Sequence, residues 1–137
     1  MSRFPARYEN ILMTLLRIVI AIVFVWFGAL KILGYNPVFD LIHNSMAPFL
    51  AGGNGLIILG IVEIFIGLML LTNRVLLFTH ILLVLHLLGT FSTFIYGWDV
   101  IFDPHFPILS LAGEFVIKNM IIVMAGLVVL VHESKRR

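Results

Sequence analysis

Leu111-Ala112-Gly113-Glu114-Phe115-Val116-Ile117-Lys118-Asn119 places two opposite charges inside an otherwise apolar run that reaches Val131. On a helix Glu114 and Lys118 share one face, with the acid on the N-terminal side, which is the favourable order for an i,i+4 ion pair. Within hydrocarbon an unpaired ionised side chain costs roughly 2.5 to 3.5 kcal/mol on insertion scales. The stretch therefore predicts a membrane helix whose charged face is covered by protein, and the other polar groups of the chain are the candidates to cover it.

The rest of the sequence agrees with a membrane setting. Of 137 residues 61% are hydrophobic and only 12% charged, with a mean hydropathy of +1.13, whereas soluble domains carry about a quarter charged residues. A span needs about 20 mainly apolar residues, so the chain has room for four spans and short connections, expected at about 11–33, 56–71, 75–96 and 108–131. The expected fold is a single all-α domain, a four-transmembrane-helix bundle in the lipid bilayer. A cleaved signal peptide is the competing reading of the first run, but that run is longer than a signal core and no A-x-A-like site follows it. Cysteine is absent, which excludes disulfides, thiolate catalysis, iron–sulfur ligation and a dithiol relay within the chain. No nucleophile motif or nucleotide loop is present, and nothing points to nucleic acid.

Each span carries one polar stripe. In the first, Arg17, Ala21, Phe24, Gly28 and Lys31 fall within about 40° of one direction. Arg17 and Lys31 each lie near an end, so both snorkelling to the interfaces and an inward role fit the spacing. In the second, Glu63 sits on a face with Gly60 and Gly67, where missing side chains let another helix approach. The third aligns Thr79, His86, Thr90, Thr93 and Gly97; the fourth aligns Glu114, Lys118, Ile121 and Ala125. Arg17, Lys31, Glu63, His86, Glu114 and Lys118 are thus the candidate buried polar or ligand-binding residues. Glu114 and Lys118 are expected to be coupled, with Lys31 or Glu63 within reach across the bundle.

The connections are less informative. Residues 34–55 hold turn formers, with a short interfacial helix expected over 38–50. His43 and His105, with Asp40 and Asp103, lack recognised metal spacing and read as solvated loop residues, so no metal site is expected. His80 and His132 lie at depths that could hold a haem, but histidines bonded to neighbouring groups are the commoner case. Lys and Arg cluster at both termini and at Arg74, while the loops 34–55 and 97–107 have none and carry Asp40, Asp99 and Asp103. By the positive-inside rule both termini are cytoplasmic.

Phe27-Gly28-Ala29-Leu30-Lys31 followed by Tyr35, Gly60-Ile61-Val62-Glu63 with Gly67, and Gly113 through Asn119 resemble the signatures of DoxX-like membrane proteins, especially the YkgB/RclC branch. The likeness runs along nearly the whole chain in order. Glu114 and Asn119 depart from that branch and resemble other DoxX-like members. The resemblance implies a four-span inner-membrane protein of redox or oxidative-stress systems, in some members a subunit of a thiosulfate:quinone oxidoreductase. It therefore implies action with a quinone or a partner oxidoreductase. In a quinone site His86 and Lys118 would donate to the headgroup and Glu63 would exchange a proton, beside apolar walls. Two other classes fit the stripes: a small proton-coupled transporter, and a structural subunit in a homo-oligomer or larger membrane complex. Transport has against it the lack of an inverted repeat or a broken helix pair.

Overall fold

A computed structural model describes residues 4–35 and 54–136 of the chain. Among them are four long helices, α1 (Ala6–Ile32), α2 (Asn54–Thr72), α3 (Leu76–Tyr96) and α5 (Leu111–Arg136), with a short α4 (Trp98–Ile101) between the last two and no strand. All four long helices have the length and apolarity to cross a membrane, so the protein is an all-helical, multi-pass membrane protein. The helix expected over 38–50, and with it Asp40 and His43, lies outside the described residues.

The ends follow local chemistry. Pro5, extended at φ −60° and ψ 142°, precedes the first turn of α1, where a missing N–H is tolerated. The helix begins at Ala6, ahead of the apolar run, because Arg7, Tyr8, Glu9 and Asn10 are polar yet compatible with helix. At its other end Gly34 takes a φ of 92°, and the Gly34 and Tyr35 N–H groups donate to the carbonyls of Lys31 (3.2 Å) and Leu30 (2.9 Å). This paired closure is a Schellman motif, and it needs the left-handed residue that glycine supplies. α5 starts on Ser110, whose Oγ accepts the Gly113 N–H at 3.0 Å as an N-cap should, and it continues past Val131 through the basic tail.

Small residues set the tightest helix pair. A Cβ at Gly28 would stand 2.5 Å from the Gly60 carbonyl oxygen, and one at Gly60 would stand 2.6 Å from the Gly28 oxygen. One heptad along, a Cβ at Gly67 would stand 2.8 Å from the Ala21 carbonyl oxygen. α1 and α2 thus approach backbone to backbone, as small-residue faces allow in membranes. α3 and α5 meet with Leu83 against Gly126, and the core gathers Ile20, Ala21, Phe24, Ile66, Leu70, Leu83, Val123, Val129 and Leu130. The outer surface is apolar, with Leu15, Val19, Leu77, Leu85 and Ile95 exposed, as a lipid-facing surface requires.

The two ends of the bundle differ. The chain termini and the α2–α3 turn share one end: Asn73 Nδ2 donates to Glu133 Oε2 at 3.1 Å, and Arg7 and Arg136 line one open concavity. At the opposite end Trp98, Phe102 and Phe106 form an aromatic cluster, with ring centroids 4.4 Å apart for Trp98 and Phe102. Such rings suit the membrane–water interface.

Candidate functional site

Among the described residues two polar groupings join helices within the bundle. The first joins α1 to α2: Lys31 Nζ donates to Glu63 Oε2 at 2.9 Å, with side-chain exposures of 8% and 5%. Lys31 faces inward rather than snorkelling, because the Gly28–Gly60 contact draws the two backbones together one turn away. Its ammonium also lies 5.9 Å from the Phe27 ring centroid, at the outer edge of cation–π range. Phe27 in turn packs on Phe115 of α5, with centroids 5.7 Å apart.

The second grouping joins α3 to α5. Asn119 Nδ2 stands 3.1 Å from Thr90 Oγ1 and 3.3 Å from His86 Nε2. The Thr90 hydroxyl donates back to the His86 carbonyl at 3.0 Å, so its oxygen accepts from Asn119. The amide thus bridges Thr90 and the His86 ring; an Nε2 without a proton would accept from it, which would put the ring proton on Nδ1. Phe24 of α1 closes the grouping, edge-on to the imidazole at 5.7 Å between centroids. The other hydroxyls of the α3 stripe are satisfied within the helix: Thr79 on the Val75 carbonyl, Thr93 on that of Thr90.

Of the six residues singled out from the sequence, Lys31 and Glu63 pair with each other in the interior, and His86 is half-buried against Phe24 and Asn119. Arg17 is half-buried, its Nε buried without a hydrogen-bond partner. Glu114 and Lys118 correct the expectation of burial. They form their i,i+4 pair at 3.8 Å, but on the outside of the protomer, with side-chain exposures of 52% and 72%. The buried residues of α5 are Gly113, Val116, Val123, Gly126, Val129, Leu130 and Glu133, of which Val116, Val123 and Leu130 lie roughly opposite to the Glu114–Lys118 pair at 3.6 residues per turn. Neither Lys31 nor Glu63 is paired with them.

Two participants were missed. Asn119 follows Lys118 within an apolar run, where an amide has to find an internal partner, and that was its available signal. Glu133 reads as part of a solvated tail but is 7% exposed against the Asn73 turn. Among the described residues no group of three or more His, Cys, Asp or Glu side chains is placed to hold a metal ion.

Fold and site together define a class: a four-span helical membrane protein with an interior ion pair and a separate His–Asn–Thr cluster. The chain matches no family model, no curated protein and no solved structure.

Proposed function

We propose that the protein is a membrane subunit of a redox or oxidative-stress system, holding a quinone headgroup beside His86 and acting with a partner oxidoreductase. The observation that carries this reading is the hydrogen-bond arrangement around His86. Asn119 contacts Nε2 and Thr90 bonds the backbone carbonyl, which leaves Nδ1 of a half-buried imidazole to serve as the donor to a quinone carbonyl next to apolar walls. A quinone takes up two electrons and two protons to become a quinol. A chain without cysteine has no dithiol to relay those electrons, so the partner oxidoreductase delivers them. Glu63, held by Lys31 on the other side of the α1 phenylalanines, is the candidate for proton exchange. Lys118, exposed on α5, drops out as the second donor. The resemblance to DoxX-like proteins supports the same reading, and with it we propose a bacterial-type inner membrane as the location, with both termini cytoplasmic.

The test is quinone retention by the gently purified protein. Extraction and mass spectrometry of the wild type should return quinone; His86→Leu should lose it while remaining folded in the membrane, and Lys118→Met should keep it. A wild type that carries no quinone, takes none up from quinone-doped liposomes and captures no oxidoreductase would end this reading.

A second reading rests on a different observation, the sealed Lys31–Glu63 pair. An intramembrane carboxylate and ammonium of this kind are the parts of a proton-coupled carrier. Proteoliposomes that take up protons or a solute only while Glu63 is intact would move that reading to first place.

A further inference from the structure

α1 outruns α2 at the end of the bundle that carries the termini. Counted from the contact of Gly67 with Ala21, α1 reaches back to Ala6 and α2 only on to Thr72, a difference of about ten residues, or about 15 Å at 1.5 Å per residue. With 27 residues, α1 is about 40 Å long against a hydrocarbon thickness of about 30 Å, so its first turns rise to the headgroup level. Beside them is a concavity of about 510 Å³, open at the surface and lined by Arg7, Asn10, Ile11, Thr14 and Leu15 of α1 and by Arg136 of α5. At about 30 Å³ per water molecule, that is far more space than one or two ordered waters fill.

The lining changes character with depth. Arg7 lies in the first turn, whereas Ile11 and Leu15, one and two turns deeper, are exposed apolar side chains that hydrocarbon covers favourably. The Thr14 hydroxyl is bonded to the Asn10 carbonyl at 2.9 Å, so the charged donors are the two arginines. Arg136 stands 3.8 Å from Glu133 Oε1, a contact that engages one nitrogen of a guanidinium with five N–H donors. Among the described residues no carboxylate pairs with Arg7. No acid lines the concavity: Glu133 is buried and accepts from Asn73, and Glu9 falls about 160° round α1 from Arg7 at 100° per residue.

We infer that this concavity is a binding site for one anionic phospholipid. Arg7 and Arg136 hold the phosphate oxygens by charge-assisted hydrogen bonds, the recognition to which a guanidinium fork is suited. Ile11 and Leu15 pack against the upper part of an acyl chain. Three observations select a lipid as the occupant: the site opens on the bilayer, it lies where a spanning helix crosses the headgroup level, and its basic rim stands above apolar walls. Basic pockets between helices near a membrane surface take anionic headgroups in this way. A zwitterionic headgroup would bring a third cation to a site that has no carboxylate for it. The inference is independent of what His86 binds, since that cluster lies deep between α3 and α5.

Native mass spectrometry of the full chain tests it. Given equal amounts of phosphatidylglycerol and phosphatidylcholine with the same acyl chains, the detergent-solubilised protein should retain phosphatidylglycerol selectively. Arg7→Gln and Arg136→Gln should each lower that retention about fivefold, as expected for one basic residue at a membrane surface. Arg74→Gln and Lys135→Gln, at the same end but outside the concavity, should leave it nearly unchanged. All four side chains are exposed, so the fold should be kept, as checked by helicity. An excess of inorganic phosphate should not displace the lipid, because it has no chain to cover Ile11 and Leu15. Equal retention of the two lipids would overturn the inference, as would losses in Arg74→Gln and Lys135→Gln as large as those at the concavity. Displacement by inorganic phosphate would also overturn it, making the site one for a soluble anion.

Discussion

Lys31 of α1 and Glu63 of α2 form a 2.9 Å ion pair that is nearly sealed from the surroundings, one turn from the point where the Gly28 and Gly60 backbones touch. The two features depend on each other. The glycines bring the backbones close enough for the side chains to meet, and the pairing prevents either charge from being stranded within the span.

Removing one partner should therefore be far worse than removing both. Lys31→Met leaves a buried carboxylate, and breaking a buried pair in this way typically costs roughly 3 to 5 kcal/mol. Lys31→Met combined with Glu63→Leu should recover most of that loss. Unfolding in detergent of the single and double variants measures the coupling; additive losses would mean that the 2.9 Å contact contributes no coupling to stability.

The glycines give a matched comparison. A side chain at Gly28 or Gly60 collides with the opposing carbonyl, and Gly28→Val should destabilise by roughly 1 to 3 kcal/mol, as overpacking does. Gly89 in α3 has open space where its Cβ would be. Gly89→Ala should stabilise by about 0.5 to 1 kcal/mol through helix propensity. Equal effects of Gly28→Val and Gly89→Ala would contradict the close approach of α1 and α2.

The charged stripe of α5 should behave differently from the interior pair in the isolated protomer. Lys118→Met strands no charge in the protein interior, because Glu114 is exposed, so it should destabilise the detergent-dispersed monomer less than Lys31→Met does. A loss as large as that of Lys31→Met would place Lys118 inside the bundle after all.

Backbone strain is stored in the α2–α3 turn. Asn73 and Val75 both have positive φ, 57° and 50°. Asparagine tolerates that region, but a β-branched residue does so at a cost of roughly 1 to 2 kcal/mol. Val75 is exposed, so little packing is lost on truncation, and Val75→Gly should raise the unfolding midpoint. A lower midpoint would mean that the side chain contributes more in contacts than it costs in strain.

Orientation can be checked independently. Reporter fusions at residue 137 and within 40–50 should lie on opposite sides of the membrane, with the C-terminal one cytoplasmic. An external C-terminus would reverse the sidedness that the basic residues imply.

Composition and hydropathy by themselves determined the class: a chain this apolar, with four runs of spanning length, cannot bury its surface except in a bilayer. Periodicity also marked the useful faces, since Gly60 and Gly67 beside Glu63, and Gly28 beside Lys31, already indicated where helices would touch. Tertiary structure alone decided which polar groups meet. Along one helix a stripe is visible as a period, but the rotation of each helix about its axis follows from packing against its neighbours. For α1 and α2 the glycine contact turned Lys31 and Glu63 toward each other. For α5 the close fit of Gly113 and Gly126 against Ile101 and Leu83 turned Glu114 and Lys118 outward and brought Asn119 to His86. The ion-pair spacing was legible in the sequence; its place on the outer surface was not, because the i,i+4 rule holds equally on either side of a helix.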